Sequence, residues 1–238
     1  MELTVKQQQF NRAMELYTSH MRYKVLGVAV SLVNVSLQAC LLYRLLPHSI
    51  GAVRQFLTII AAYLIADFVN GLVHLFMDNN DRYESWAGPL IANFHLHHKT
   101  PLYRKHNLLL VYFTESGSKI WLVVYLGAVL LLSASTSLDP LVLYTLIYVG
   151  ILSSVAEVSH YLCHTSTSSL ASFLANCGLL LSKRHHAKHH LQDNRSYAFL
   201  NGATDPLLDL IASKWYGGYK QKTDLHYARY NGADGADR

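Results

Sequence analysis

Cysteine is scarce in this sequence: Cys40, Cys163 and Cys177 are the full complement. An odd, small number with no ligand-like pairing excludes a disulfide framework and a cysteine-bound zinc finger, so the three are read as reduced thiols. Cys163 beside His164 is given a structural role. Charge is also in short supply, at 15% of residues, below the roughly 25% usual in soluble domains. No G-x-G-x-x-G fingerprint is present, so any reducing equivalents must come from a partner. The polar first stretch has no short apolar segment ending in a cleavage site, so no cleaved signal peptide is expected. The net charge is +5. In a chain this apolar it reports topology and anionic headgroups rather than nucleic acid, and no nucleic-acid partner is expected.

Apolar runs dominate instead, with hydrophobic residues at 51%. Residues 25–46, 53–77, 120–138 and 141–162 are each long enough to cross a hydrocarbon core of about 30 Å as a helix. Asp139-Pro140 supplies a helix start for the last of these. The apolar piece 170–181 is too short to cross and reads as an interfacial or re-entrant helix. The expected fold is therefore an all-α integral membrane protein. It has about four transmembrane helices, interfacial helices and a histidine-rich cap. A polar segment (1–24) precedes the membrane domain (25–220), and a polar, disordered tail (221–238) follows. All Lys and Arg except Arg44 and Arg54 fall outside the far-side connections, so the positive-inside rule puts both termini and the cap in the cytosol. The compartment is a bacterial inner membrane or the endoplasmic reticulum.

The sequence holds 14 histidines, and most are grouped. The first group is in ADFVNGLVHLFMDNND, where Asp67, His74 and Asp78 share a helix face. An acid as deep as Asp67 is costly in apolar surroundings and needs a partner or a function, structural support being preferred. The second is NFHLHHKTP followed by RKH: His95, His97, His98 and His106. Adjacent His97 and His98 cannot point the same way on a helix, so they suit two neighbouring metals, or one ligand and a supporting residue. His95 could be a solvated loop residue. The third is EVSHYLCHT, with Glu157, His160 and His164 on one stripe; Glu157 is a possible ligand or orienting partner. The fourth is KRHHAKHH, with His185, His186, His189 and His190. A phosphate-touching basic patch is the plain alternative for this group, but neutral histidine serves it poorly. Two of the four groups lie at the ends of apolar spans and the others in the segments that follow, all on one side.

So many imidazoles exceed what one four-coordinate zinc can use. They suit redox metal, because neutral imidazole binds iron and leaves positions for dioxygen. A metal transporter would carry polar residues through several spans, yet the third apolar run has no histidine. A scaffold without redox activity and a hydroxylase with the same centre remain as alternatives.

Taken in order, these motifs resemble the plasmanylethanolamine desaturase, or Kua-like lipid desaturase, family, whose plant relatives desaturate the palmitoyl chain of chloroplast phosphatidylglycerol. The likeness runs over about residues 66–209. It rests on DFVNGLVHLFMD, FHLHHKTP with His106 after it, His160-x-x-x-His164-Thr165, KRHHAKHH, a stretch at Tyr197, and Asp205-Pro206-Leu207. Leu75, Asn107, Glu157 and Ser116-Gly117 stand where the family pattern has Trp, Asp, Asn and an Asn-bearing stretch. The resemblance implies a di-iron centre and O2 as co-substrate. It implies a membrane lipid, ether-linked or acyl, as substrate, and an electron donor such as cytochrome b5 or ferredoxin. By motif the ligands would be His74, His97, His98, His106, His160, His164, His186, His189 and His190. His185 is a further candidate, and Asp78 sits at the family's acidic position.

Overall fold

The computed structural model describes residues 5–98, 107–192 and 194–217. Every regular element in that range is helical: α1 (Val5–Ser19), α2 (Met21–Leu45), α3 (Ala52–Asp78), α4 (Gly88–Leu96), α5 (Leu108–Glu115), a 3-10 turn (Ser116–Ser118), α6 (Ile120–Ser135), α7 (Pro140–Thr165), α8 (Ser169–Asn176), α9 (Lys183–Leu191) and α10 (Asp205–Trp215). The residues of the expected tail, 221–238, and His106 lie outside the described residues.

Three helices, α2, α3 and α7, are long and apolar enough to cross a membrane. The count reaches four if α5 through α6, bent by 91° at one break, is a single broken span. The third apolar run forms the continuous 16-residue helix Ile120–Ser135, ending three residues short of 138, and the bend falls just before it, at Lys119. Asn34 explains why the break is tolerated. Its Nδ2 donates to the carbonyls of Ser116 at 3.1 Å and Lys119 at 3.2 Å, a second donor to each that braces the turn from another helix. Broken backbone at membrane depth survives only when protein groups satisfy it in this way. Gly117 permits the approach, because a Cβ there would stand 2.6 Å from the Gly27 carbonyl oxygen. Side chains such as Leu32, Phe56 and Val124 are exposed on α2, α3 and α6, which suits a lipid solvent. The chain is a multi-pass membrane protein.

The α3–α7 pair is the centre of the bundle. α2 and α6 pack on α7 through Leu41, Leu122, Leu126 and Ile147. Asp139 caps α7 by accepting from the Leu141 amide at 2.8 Å, with Pro140 at the first turn, where its missing N–H costs nothing. The N-terminal segment, expected only to be polar, forms α1. Phe10, Ala13 and Met14 make an i, i+3, i+4 stripe that docks on Tyr83, Ile91 and Ala92. The short apolar piece is helical only over Ser169–Asn176, with Leu170 and Phe173 exposed, as an interfacial helix would be. Residues 195–205 form a loop folded over the ends of α3 and α7, where Leu200 and Phe199 join the α3–α7 core.

Candidate metal centre

Four pieces of chain converge at one end of the bundle: the ends of α3 and α7, the end of α4, and α9. They produce two sets of donor atoms. His97, His164, His186 and His190 make one, and His74, Asp78, His98 and His189 the other, each with its candidate ligand atoms within 4.8 Å of one another. Adjacent His97 and His98 fall in different sets. α9 feeds both, sending His186 and His190 to one and His189 to the other. Ser182 starts that helix by accepting from the His185 amide at 3.1 Å.

His160 belongs with the first set. Its Nε2 lies 3.1 Å from Nε2 of His97, 3.0 Å from that of His186 and 3.2 Å from that of His164. His186 and His190 approach to 2.9 Å through the same atoms. So many ring nitrogens crowding together cannot all be satisfied by the few protons they could share. Bonds of about 2.1 Å to one six-coordinate ion would set neighbouring nitrogens about 3.0 Å apart. Among residues of the set outside the spans, burial and the neighbouring imidazoles hold His97 and His186 well below the usual histidine range and His190 down to about 4. These rings are therefore neutral at physiological pH, the form that binds metal.

The second set is oriented by backbone. The Nδ1 of His74 lies 2.7 Å from the carbonyl oxygen of Tyr197, and that of His189 lies 3.0 Å from the carbonyl oxygen of Arg195. A carbonyl only accepts, so each Nδ1 carries the proton and each Nε2 presents a lone pair. Both lone pairs face Oδ2 of Asp78, at 3.3 Å each. That oxygen is buried without a hydrogen-bond donor, while Oδ1 receives His98 Nε2 at 2.8 Å. A carboxylate oxygen flanked at 3.3 Å by two imidazole nitrogens in a buried pocket is the kind of convergence a shared cation holds together. The donor set therefore fits a metal ion. Phe199 lies between the two sets, its ring 4.2 Å from that of His74 and stacked 4.4 Å from that of His160.

The remaining candidates fall elsewhere. Asp67 is fully buried and distant from both sets. Its Oδ1 accepts from the amides of Leu200, Asn201 and Gly202, and its Oδ2 from the amide and hydroxyl of Thr204 at 3.0 and 2.7 Å. It grips the loop whose carbonyls aim His74 and His189. His185 faces Asp205, Nε2 to Oδ2 at 2.5 Å, and joins neither set. On an α-helix it sits about 100° round from His186. Gly202 makes that pairing possible: it has φ +85°, and a Cβ there would lie 2.6 Å from His185 Nε2. Glu157 also lies outside both sets; its Oε1 is 2.9 Å from Lys119 Nζ and its Oε2 3.9 Å from His160 Nδ1. His95 is buried rather than a solvated loop residue. Its Nε2 donates to the Met77 carbonyl at 2.8 Å, and its Nδ1 accepts from the Tyr83 hydroxyl at 2.6 Å. Burial lowers its affinity for a proton.

Sequence reasoning did not reach the orienting carbonyls of Tyr197 and Arg195, the wall formed by Phe199, or Lys119. The stretch at Tyr197 stood out only through the family likeness.

Fold and site define a multi-pass membrane protein with two histidine-rich sets able to hold metal. A family model described as lipid desaturase domain matches residues 63–215. The chain belongs to that family, and lipid desaturation is the activity the domain supports. No match was found among curated proteins or among solved structures.

Proposed function

We propose that the chain is an O2-dependent desaturase of a membrane lipid chain, working at a di-iron centre. The observation that carries this reading is the convergence of His74 Nε2 and His189 Nε2 on Asp78 Oδ2, in a buried pocket beside a five-imidazole set. His97, His160, His164, His186 and His190 would hold one iron. His74, Asp78, His98 and His189 would hold the other, and His106 is a further candidate by motif. When bound, the pair supplies activation of dioxygen and the redox capacity to oxidise an unactivated C–H bond. In the overall reaction a –CH2–CH2– unit, O2, two electrons and two protons become –CH=CH– and two water molecules.

The chain's own residues do the rest. The carbonyls of Tyr197 and Arg195 keep His74 and His189 in the ligating tautomer. Asp67 holds the loop that carries those carbonyls. Phe199 and the apolar ends of α3 and α7 exclude water. His164 and His190 are only half-buried, so the five-imidazole set opens on one side to substrate. The lipid, an ether-linked alkyl or an acyl chain, enters from the bilayer. Electrons arrive from a carrier such as cytochrome b5 or ferredoxin at the cytosolic face. The membrane is a bacterial inner membrane or the endoplasmic reticulum.

The test is lipid mass spectrometry of a host lacking such activity, before and after expression of this chain. Loss of two hydrogens from one lipid class is expected. A gain of oxygen would replace desaturation with hydroxylation, and an unchanged lipidome with iron bound would overturn the enzymatic reading.

A further inference from the structure

One turn below the two metal sets, where apolar side chains would be expected, lies a buried charge. Lys119, 4% exposed, enters the bundle at the break between α5 and α6. Its Nζ meets Glu157 Oε1 at 2.9 Å and donates to Asn70 Oδ1. Asn70 in turn donates to Ser153 Oγ at 3.0 Å, crossing from α3 to α7. Glu157 is itself only 8% exposed.

The partners of Lys119 are placed with respect to both sets. Asn70 is four residues, about one turn, before His74 of the carboxylate set. Glu157 is three residues before His160 of the imidazole set, with Oε2 3.9 Å from its Nδ1. One ammonium thus ties the turn beneath one set to the turn beneath the other. Stability does not account for it, because burying a charge pair costs desolvation that apolar packing would avoid. Intramembrane lysine is rare and marks functional sites.

We infer that Lys119 is a positioning residue, a cross-brace joining Asn70 on α3 and Glu157 on α7 that fixes the spacing of the two metal sets. The inference rests on the two-metal reading and adds to it a residue outside every histidine motif. The bend just before the third apolar run then has a purpose: it turns the chain so that Lys119 enters the bundle instead of facing lipid.

The test uses the purified full chain, stripped of metal and titrated with Co(II). Lys119→Gln combined with Glu157→Gln replaces the ion pair by a neutral hydrogen-bonding pair, leaving no charge stranded. The wild type is expected to take up two Co(II) per chain. The double variant should keep the thermal midpoint of the metal-free wild type, bind one equivalent at least about tenfold more weakly, and show shifted ligand-field bands. Wild-type affinity for both equivalents with unchanged bands overturns the inference. So does a fall in the metal-free midpoint with metal binding unaltered, which marks a merely structural brace. If the double variant does not fold, Lys119→Arg decides. It keeps the charge but changes its reach, and unchanged affinity and bands in that variant overturn the inference. Uptake of fewer than two ions by the wild type is seen before any substitution is made, and it overturns the two-metal reading itself.

Discussion

The two sets of donors draw on the same α4 end and the same α9, but one is completed by α7 and the other by α3. The α7 set is all imidazole: His97, His160, His164, His186 and His190. The α3 set has three imidazoles and the carboxylate of Asp78. A neutral set and an anionic one, in ring contact through His98 and His190, would not hold two ions equally well. If both sets hold iron as proposed, the carboxylate would favour the more oxidised ion, and the all-imidazole set the more reduced one. The difference teaches that near-repeats in sequence, HH in FHLHHKTP and HHAKHH, need not build a symmetric centre. The helix that completes each set decides its character.

Substitutions separate the two sets most sharply. His186→Ala should remove one metal equivalent and reduce product formation by more than about 100-fold, beyond the loss typical of supporting residues. Asp78→Ala should do the same for the other equivalent. Metal analysis of both variants checks this, and loss of both ions from either variant would erase the distinction. Chelation should lower the thermal midpoint by about 5–10 °C, as expected when an ion at ~100 times its Kd is withdrawn. A midpoint that ignores chelator would mean the sets are empty in the folded protein.

Asp67→Asn should cost about 3 kcal/mol, because it turns a charged acceptor with five donors into an amide that opposes some of them. It should weaken the α3 set before the α7 set, since the loop it holds orients His74 and His189; metal titration of the variant would show the order. Acid should act more gradually. His190 is held down to about 4, and His97 and His186 well below their usual range, by burial and neighbouring imidazoles. Their unfolded values are near 6.5, so the unfolded chain binds more protons below that pH. Stability is full above pH 6.5 and declines as pH falls toward 4. Metal retention measured against pH should fall over the same window. The smallest effect belongs to His185→Ala, which should leave both equivalents within about threefold of wild-type affinity, since His185 joins neither set. Loss of an ion there would return His185 to the ligands.

Much of the centre could be read from helical spacing alone. Asp67, His74 and Asp78 share a face because they lie seven and four residues apart, and the same arithmetic aligned Glu157, His160 and His164. Spacing along one helix says nothing of the partner across space. It could not reveal that Asp67 meets amides from Leu200 to Thr204, or that carbonyls of Tyr197 and Arg195 aim two ligands. Nor could it choose between His185 and His186, because both make i, i+4 pairs in KRHHAKHH and only the direction in which α9 docks separates them. The bend that precedes the apolar run 120–138 was hidden for a related reason. The break is made by Lys119 just before the run and braced by Asn34, a residue on another helix. In α1 the Phe10, Ala13 and Met14 stripe was present in the sequence, but too many polar neighbours masked it.

The hold of Asp67 on residues 200–204 also bears on how the protein is made. Among the described residues, five of the eight histidines in the two sets, including both from α7, precede α9, yet the carbonyl that aims His74 belongs to Tyr197, beyond it. A nascent chain halted short of Tyr197 would be inserted and rich in imidazole, but unable to seat its ions in order. On the two-metal reading, ordered metallation would therefore wait on residues 195–204, and the carboxylate of Asp67 on an early helix would act as the latch that holds them.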